Sequence, residues 1–328
     1  MPIIKINNNP ISIQSSTDHS MLTDLLNAGI GYPYECVTGK CGLCKFELIQ
    51  GNIIKTEENP TGLSSRDLKK GNRHLACKCK LNSDLDIKVK LDNKFIQKTK
   101  ISKIRSSVIS KELLTHDFIK ITLKPDENMS WLPGQFCLLS DPLLPSIDRA
   151  YSIANNYIKD GHIDFYIKRV PDGIFSNHIF DKINIDSTLI LKGPFGHSYY
   201  QRSNRKLLII GGGSGLSYAA SIAKQAFSEG KDFLFYYGSR STQDIPNWSS
   251  LVFTNNEIID IKTVLSQSNN EWTGPTGFLH EVVNEDLGAS LCEFDIYLAG
   301  PPVMVECSIK SFFDQGVPSE NIHYDSFY

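Results

Sequence analysis

Four cysteines in the first quarter of the chain are spaced to hold a metal cluster. Cys36, Cys41 and Cys44 stand in the run CVTGKCGLC, and thirty-two residues separate Cys44 from Cys77. This spacing is typical of four thiolates that bind a [2Fe-2S] cluster. A zinc ribbon or a group of buried thiols is the alternative, but zinc sites usually repeat a C-x2-C pair, which occurs only once among these ligands. The residues predict an iron–sulfur cluster, with Cys77 or Cys79 as the fourth ligand.

Glycines in the cysteine-rich loop fit the same chemistry. Four thiolates carry negative charge that inward-pointing backbone N–H groups must offset, so the loop has to close tightly around the cluster. Gly39 and Gly42 permit the positive φ angles that such a loop needs. We expect both glycines to adopt them.

A second glycine-rich segment, GGGSG at 211–215, lies between an apolar strand and a helix. Glycines there let backbone N–H groups approach a pyrophosphate. The strict G-x-G-x-x-G pattern fails, because Leu216 and Tyr218 stand where its last glycine would fall. A tight turn without a ligand is the alternative that the motif alone leaves open.

A flavin diphosphate needs a cation and free backbone N–H groups, and two further segments offer them. Arg149 in RAYS, at 149–152, supplies the cation, and the helix that begins in GIFS supplies the N–H groups around Gly173 and Ser176. Tyr151 can lie against the isoalloxazine ring and Ser152 can reach its N5 edge. A surface arginine and a half-buried tyrosine of an ordinary barrel are the more frequent explanation of RAYS alone, since four-residue matches are common.

Composition and charge exclude several classes. The 328 residues are 41% hydrophobic and 21% charged, which is typical of a globular protein of two or three domains. The chain has thirty-four basic and thirty-six acidic residues, so it lacks the net positive charge that would attract nucleic acid or anionic lipid. No signal peptide and no run of eighteen apolar residues is present, so we expect a cytoplasmic protein without a membrane span.

The elements that position these motifs follow from the apolar periodicity. We expect a hairpin over 2–15 with a long turn at Asn8–Pro10, and a helix capped by Thr17 that stops at Gly29. A linker runs from Asp92 to Lys103. Short strands with turns between them then predict an antiparallel barrel up to about residue 200. After residue 205, strands at 206–210, 232–237, 258–264 and 294–298 alternate with helices and predict a parallel α/β sheet.

The first 92 residues resemble a plant-type ferredoxin. The family pattern C-x-x-G-x-C-G-x-C is matched at Cys36, Gly39, Cys41, Gly42 and Cys44. The resemblance implies that Cys77 is the fourth ligand and that Cys79 is a small core residue. Val37 stands where many relatives carry a basic residue. Residues 1–93 hold twelve basic and ten acidic residues, whereas free plant-type ferredoxins are strongly acidic.

The remainder of the chain resembles the ferredoxin-NADP reductase superfamily. The motifs PGQF, RAYS, GIFS, GPFG, GGGSG, YYGSR and YLAGPP occur in the family order between residues 133 and 302. The resemblance implies flavin binding by Arg149, Tyr151, Ser152, Gly173 and Ser176. It implies nicotinamide dinucleotide binding by Gly212, Gly213, Ser214, Gly215, Ser239, Arg240, Gly300 and Pro301.

The family resemblance also assigns the groups around the reacting ring. It places Ser152 near the flavin N5, Tyr151 against the ring, and Phe327 over it, with Tyr328 as a second candidate ring. Asp325 matches the acidic residue that relatives often carry two positions before that aromatic. Ala299 stands where many relatives have a cysteine. His280 is expected to be a surface or helix histidine without a catalytic role.

Together, these modules predict a multidomain α+β and α/β protein with an electron-transfer function. We expect a β-grasp ferredoxin domain at 1–92, an antiparallel FAD-binding β-barrel at 100–200 and a parallel α/β NAD(P)-binding domain at 205–328. A nicotinamide donates two electrons at once and a [2Fe-2S] cluster accepts one, so a flavin must stand between them. The predicted protein is an NAD(P)H-dependent reductase that passes electrons through FAD and the cluster to a partner enzyme.

Several alternatives stay open at this point. Reductases of multicomponent oxygenases and CDP-6-deoxy-glucoseen reductases share this domain order, and GIFSNHIF and EWTGPTGFLHEVV resemble the latter. The partner is therefore an oxygenase or a dehydrase component. A non-catalytic regulatory subunit with a nucleotide-sensing domain is the rival class. FAD is preferred to FMN, and NADH to NADPH, by the resemblance alone, although Ser239 and Arg240 could accept a 2′-phosphate. The oligomeric state is not predicted.

Overall fold

The chain forms two compact units. The computed structural model describes residues 2–15, 19–145, 147–156, 161–248, 260–267 and 271–327. One unit, the N-terminal unit, holds the chain up to Ile101 together with Gly193–His197. The other, the C-terminal unit, holds Ser102–Lys192 and Ser198–Phe327. The predicted barrel and nucleotide-binding domain thus lie in a single unit.

A five-stranded sheet with a helix forms the N-terminal unit. Its elements are β1 Ile3–Ile6, β2 Asn9–Ser12, α1 Met21–Asn27, β3 Lys45–Gln50, β4 Ile53–Lys55, α2 Ser65–Lys70, β5 Arg73–Leu75, β6 Cys79–Leu81 and β7 Leu85–Lys88. The strand order is β2-β1-β7-β3-β5, with β1 parallel to β7, and β4 pairs with β6 separately. Apolar residues of α1 such as Leu22 and Leu25 are fully buried. This arrangement agrees with the predicted β-grasp class.

The N-terminal hairpin and helix form, but with different ends. The turn consists of Asn7 and Asn8, both at positive φ, so Asn9 and Pro10 belong to β2 rather than to a long turn. Two residues of this kind match the twist of a hairpin, which is why a longer loop is not needed. Helix α1 is capped by Ser20, whose hydroxyl accepts from the Thr23 N–H. Thr17, the predicted cap, lies outside the described residues.

Six antiparallel strands form the predicted barrel. They are β8 Ser102–Thr115, β9 Phe118–Pro125, β10 Phe136–Ser140, β11 Arg149–Ser152, β12 Ile163–Lys168 and β13 Thr188–Phe195, with helix α3 Ile174–Asp181 between the last two. The order is β11-β10-β13-β8-β9-β12, and a bridge between Ile153 and Phe165 joins the two ends into a near-closed barrel. The long strand β8 was not foreseen, and it begins inside the segment predicted as a linker.

The last part of the chain is a parallel α/β sheet. Its elements are β14 Lys206–Gly212, α4 Leu216–Ser228, β15 Phe233–Ser239, β16 Ile261–Leu265, α5 Leu279–Leu287, β17 Phe294–Gly300, α6 Pro302–Asp314 and β18 Ile322–Ser326. The order is β16-β15-β14-β17-β18, and every pair is parallel. The prediction had four of these strands and missed β18. The predicted start of the third strand, Ile258, lies outside the described residues.

Helix α4 joins the barrel to the parallel sheet. One apolar core contains Phe118 and Tyr166 from the barrel, Leu216 and Ile222 from α4, and Ile209 from the sheet. A second core fills the barrel, and a third lies on the opposite face of the sheet. None of the helices in the described ranges is long and apolar enough to cross a membrane.

Candidate functional site

The structure brings the predicted cluster ligands together as two thiol pairs. The Sγ atoms of Cys44 and Cys77 lie 3.3 Å apart, and both residues are buried. The Cys36 Sγ accepts hydrogen bonds from the backbone N–H of Lys40 at 3.4 Å and of Cys41 at 3.3 Å. Hydrogen bonding from Cys41 lowers the pKa of the Cys36 thiol, which favours the thiolate that iron requires. Four such thiols fit a [2Fe-2S] cluster.

The loop around these thiols is tightly turned. Gly39 and Gly42 have φ of 87° and 76°, as expected from the sequence. A Cβ atom at Gly42 would lie 2.5 Å from the carbonyl oxygen of Gly62, so only glycine fits there. Val37 also has a positive φ, 57°, which a β-branched residue rarely adopts. The surrounding contacts therefore stabilise a left-handed backbone conformation that is unfavourable for valine.

Cys79 has a different environment from the four ligand candidates. It begins strand β6, where it is paired in register with Lys55, and it is 2% exposed. Burial raises the pKa of its thiol, but the pKa of Cys77 is raised as well, so the 3.3 Å contact between the Sγ atoms of Cys77 and Cys44 is what distinguishes the two residues. These features favour a core residue at this position and leave Cys77 as the fourth ligand that we propose.

Strand β11 carries the residues predicted to bind flavin. Arg149 is exposed, Tyr151 is half-buried and Ser152 is buried. Arg149 and Tyr151 face one side of the strand, and Ser152 faces the other. The Tyr151 ring stacks on Phe175, the second residue of α3, with 6.2 Å between ring centroids. The RAYS segment and the start of α3 therefore lie side by side.

The first turn of α3 suits a diphosphate. Gly173 is the N-cap residue, and no side chain caps this end of the eight-residue helix. The Ser176 hydroxyl is engaged within its own loop, since it accepts from the Val170 N–H and donates to the Gly173 carbonyl. Ser176 thus shapes the loop with its side chain, and an anion would meet the backbone N–H groups of the turn.

The glycine-rich turn lies against the end of strand β17. Gly211 and Ala299 are register partners in β14 and β17, so GGGSG and the LAGPP segment leave the same edge of the sheet. A side chain at Gly215 would collide with the Ala299 carbonyl. This close approach explains why glycine is needed where the turn enters α4, and it leaves the backbone N–H groups of 212–215 at the edge where a pyrophosphate binds in such sheets.

The C-terminal segment brings the flavin strand and the nicotinamide segment together. The Ser152 hydroxyl donates to Asp325 Oδ2 at 3.4 Å, although 173 residues separate them. Asp325 is the register partner of Ala299, and the Phe327 N–H donates to the Gly300 carbonyl at 3.1 Å. Ser152, Gly300 and Phe327, all assigned by the same family resemblance, therefore converge at the end of β18. Pro301 follows at the N-cap of α6.

Ser239 ends strand β15 and Arg240 follows it, beside the glycine-rich turn. Gly238 is the register partner of Gly212, and the Ser239 hydroxyl donates to the Asp244 carbonyl. The exposed Arg240 lines a cavity of about 500 Å³ with Lys168 and Arg169 of the barrel.

Near this cavity, one group of side chains has the composition of a metal site. His116, Asp117 and Asp244 offer ligand atoms within 4.8 Å of one another. The Lys168 ammonium lies 2.8 Å from Asp117 Oδ2 and 3.7 Å from Asp244 Oδ1, so a cation already balances both carboxylates.

Sequence reasoning missed the polar contacts of helix α4. The Ser217 hydroxyl accepts from the Tyr166 N–H and donates to its carbonyl, and Lys224 Nζ donates to the Ala154 carbonyl at 3.1 Å. Ser221 accepts from the Gly134 N–H. These residues lie on the helix face turned to the barrel. Ser217, Ser221 and Lys224 recur at helical spacing, and the two serines fall on the side expected to be apolar. This pattern could have indicated polar contacts between the helix and a neighbouring element.

Three family models match successive parts of the chain. Residues 4–82 match the 2Fe-2S iron-sulfur cluster binding domain, 105–200 the oxidoreductase FAD-binding domain and 209–310 the oxidoreductase NAD-binding domain. These matches confirm the predicted cofactors, a [2Fe-2S] cluster, FAD and a nicotinamide adenine dinucleotide, and the predicted fold of each part.

Full-length relatives share all three parts. The chain is 44% identical over 311 residues to the ferredoxin--NAD(P)(+) reductase CarAd of Metapseudomonas resinovorans, covering 94% of each chain. It is 28% identical to a CDP-6-deoxy-L-threo-D-glycero-4-hexulose-3-dehydrase reductase of Yersinia pestis, covering 99% of this chain and 98% of that one. A solved structure titled ferredoxin reductase in carbazole 1,9a-dioxygenase superposes with a TM-score of 0.92 at 41% identity, covering 100% and 98% of the two chains.

Proposed function

We propose that this chain, which belongs to the ferredoxin–NAD(P)(+) reductases, delivers electrons from NADH to the electron-accepting component of an oxygenase system. When bound, NADH supplies two electrons as a hydride, FAD takes them up and releases them singly, and the [2Fe-2S] cluster carries one at a time. The observation that carries this proposal is the convergence of Ser152, Gly300 and Phe327 through Asp325.

The residues of the C-terminal unit bind and orient the two nucleotides. Arg149 and the first turn of α3 at Gly173 hold the flavin diphosphate, with Ser176 shaping that turn. Tyr151 lies along the flavin ring, and its stacking on Phe175 keeps it in place. Ser152 would donate a hydrogen bond at the reacting edge of a bound flavin, and Asp325 holds its hydroxyl in position.

The nicotinamide nucleotide is held along the edge of the parallel sheet. Gly212, Gly213, Ser214 and Gly215 bind its pyrophosphate through the backbone, while Gly300 and Pro301 receive the nicotinamide. Phe327 is the residue that would cover a bound flavin, and its backbone N–H bond to the Gly300 carbonyl holds it beside the segment that would receive the nicotinamide. Bringing the two reacting atoms to roughly 3 to 3.5 Å is the chief contribution of such a site.

The choice of NADH rests on the surroundings of Ser239 and Arg240. Asp244 Oδ1 lies 3.8 Å from Arg240 Nη2, and the Ser239 hydroxyl is already bound to the Asp244 carbonyl. Because Arg240 lies at ion-pair distance from Asp244 and the Ser239 hydroxyl is already bound, both groups are less available to a 2′-phosphate, whereas a ribose 2′-hydroxyl can donate to the carboxylate. These contacts support NADH as the donor.

Electrons leave through the N-terminal unit, where Cys36, Cys41, Cys44 and Cys77 hold the cluster. An oxygenase component is favoured as acceptor because identity to the carbazole dioxygenase reductase is 41%, against 28% for the dehydrase reductase. The three domains that we propose are 1–92, 100–200 and 205–328, and each contains one family match. The cytoplasmic location stays a prediction.

An anaerobic visible spectrum tests the proposal. Two equivalents of NADH supply four electrons, against the three that FAD and the cluster accept together, and should bleach both the flavin bands and the broader iron–sulfur absorption within the mixing time of a spectrometer. NADPH should act much more slowly. Rapid bleaching by NADPH alone would reverse the choice of donor. A spectrum indifferent to both nucleotides would favour the rival regulatory subunit.

A further inference from the structure

Positive charge is concentrated in the part of the chain that carries the cluster. Residues 38–80 contain nine Lys/Arg and four Asp/Glu, whereas the rest of the chain contains twenty-five Lys/Arg and thirty-two Asp/Glu. A chain with a formal net charge of -2 therefore contains a segment of charge +5. Such a separation produces a local field that the overall charge conceals.

Helix α2 places part of this charge beside the cluster loop. The Gly62 N–H donates to the Gly39 carbonyl at 2.9 Å, so the residues that lead into α2 lie on the loop. Lys45, next to the ligand Cys44, forms an ion pair with Asp67 of α2 at 2.9 Å. The helix is capped by Ser64 at its start and by Gly71 at its end. Its position against the loop is therefore well defined.

Three cations of α2 have no carboxylate to balance them. Arg66, Lys69 and Lys70 are exposed, and within the described ranges no carboxylate lies at ion-pair distance from any of them. The nearby acidic residues are already engaged, since Glu57 pairs with Lys78, Glu58 with Lys55 and Glu47 with Arg73. The uncompensated charge of this surface is thus positive.

Two apolar side chains accompany these cations. Leu43, between the ligands Cys41 and Cys44, is 43% exposed, and Leu68 of α2 is 40% exposed. An apolar residue directly in the cluster loop lets a partner approach and exclude water, while surrounding charges orient it. The α2 surface, defined as Leu43, Arg66, Lys69 and Lys70, combines both features; Leu68, two residues after Arg66, lies on the other side of the helix.

We propose that the α2 surface docks an electron-acceptor protein whose own docking surface is acidic. The proposal deepens the function proposed above, because it names the exit surface and the partner's charge. In the step, one electron passes from the cluster to the oxidised centre of the acceptor, which is reduced by one; no bond forms and no proton moves. The cations speed the encounter, and Leu43 marks the point of contact.

Charge reversal tests the surface. The variant R66E/K69E/K70E is compared with K5E/K88E/K90E, which makes the same change in net charge at exposed lysines on or just beyond strands β1 and β7. Each protein is reduced with dithionite, freed of the excess reductant without exposure to oxygen, and mixed with acidic cytochrome b5 or basic cytochrome c at low and high salt. Reduction of the cytochrome is followed by its haem absorbance.

At low salt we expect the α2 variant to reduce cytochrome b5 at least tenfold more slowly than the wild type, and cytochrome c faster. The control variant should stay within about twofold of the wild type. The differences should vanish in 0.5 M salt, which screens exposed charges. Iron content and the visible spectrum should be the same in all three proteins. The neutral variant R66Q/K69Q/K70Q repeats the test if the reversed helix does not fold.

Other outcomes would overturn the proposal. Equal rates for the α2 variant and the wild type would show that docking occurs elsewhere, and equal losses in both variants would show an effect of net charge only. Binding of the wild type to DNA or to anionic vesicles, lost in the α2 variant while cytochrome rates are unchanged, would assign the surface to those ligands. Dithionite replaces NADH here, so failure of the nicotinamide reaction cannot be mistaken for failure of docking.

Discussion

At the scale of single residues, the two neighbouring cysteines of LACKC allow a direct test of the cluster. Cys77 lies 3.3 Å from Cys44, whereas Cys79 is a buried residue of β6. We expect Cys77→Ser to lose the iron–sulfur absorption and all one-electron output, while NADH still reduces the flavin. Cys79→Ser, the matched control, should keep its iron. The reverse result, read from iron content and the visible spectrum, would make Cys79 the fourth ligand.

His197 predicts a pH dependence of stability in the N-terminal unit. Its ring packs edge-on against Phe95, its Nδ1 bonds to none of the described residues, and burial lowers its pKa to about 4. In the unfolded chain it protonates near pH 6.5. Between these values the unfolded state binds more protons, so acidification lowers the free energy of unfolding by about 1.4 kcal/mol per pH unit.

Thermal unfolding between pH 7.5 and 5.5, followed by the cluster absorbance, measures this effect. We expect His197→Asn to flatten the pH dependence of the midpoint, whatever its effect at pH 7.5. His280→Asn, in the other unit, is the control and should keep the wild-type slope. An unchanged slope in His197→Asn would mean that the imidazole is already charged in the folded protein.

At the scale of elements, helix α4 acts as a partner for the edge of the barrel. Strand β12 is last in its sheet, and the Ser217 hydroxyl pairs with both backbone groups of Tyr166 there. Ser217→Ala leaves a buried N–H and a buried carbonyl without that partner, which costs about 1–3 kcal/mol per group. We expect a clearly lower free energy of unfolding for this variant.

Urea unfolding followed by tryptophan fluorescence reports on this unit, because all three tryptophans lie in it. Ser228→Ala is the matched control on the same helix, since its exposed hydroxyl bonds only to the Gln225 carbonyl one turn back. It should change stability by less than about 0.5 kcal/mol. Equal effects of the two substitutions would contradict a special role for Ser217.

At the scale of the whole molecule, two electron-transfer steps should differ in their salt dependence. Transfer from the cluster to the acceptor joins two proteins, whereas the flavin and the cluster are held by one covalent chain. Transfer from flavin to cluster occurs within one chain, where a tether sets the effective concentration. With saturating NADH, we expect the rate of cluster reduction to change by less than about twofold between 20 and 500 mM salt. Stopped-flow absorbance measures it. A steep salt dependence would instead indicate that charge attraction brings the modules together.

The sequence by itself determined the cofactors and the order of the modules. Spacing within a loop is a local property, so CVTGKCGLC indicated its cluster, and the positive φ of Gly39 and Gly42 followed from the same need for a tight turn. The glycine-rich turn between β14 and α4 was recognisable for the same reason. Strand periodicity predicted the parallel sheet, but it missed β8 and β18. The apolar alternation in these two segments is too weak to indicate a strand, and they are held in their sheets by pairing with neighbouring strands.

Only the tertiary structure decided which distant residues meet. Ser152 and Asp325 are 173 positions apart, and their contact depends on how the barrel packs against the parallel sheet through α4. The cations of α2 lie beside the cluster loop because Gly62, just before the helix, is hydrogen-bonded to Gly39 of that loop. Such contacts arise from the packing of whole elements, which neither residue spacing nor local propensity specifies. The sequence named Ser152 and Asp325 without placing them together, and it did not single out the cations of α2.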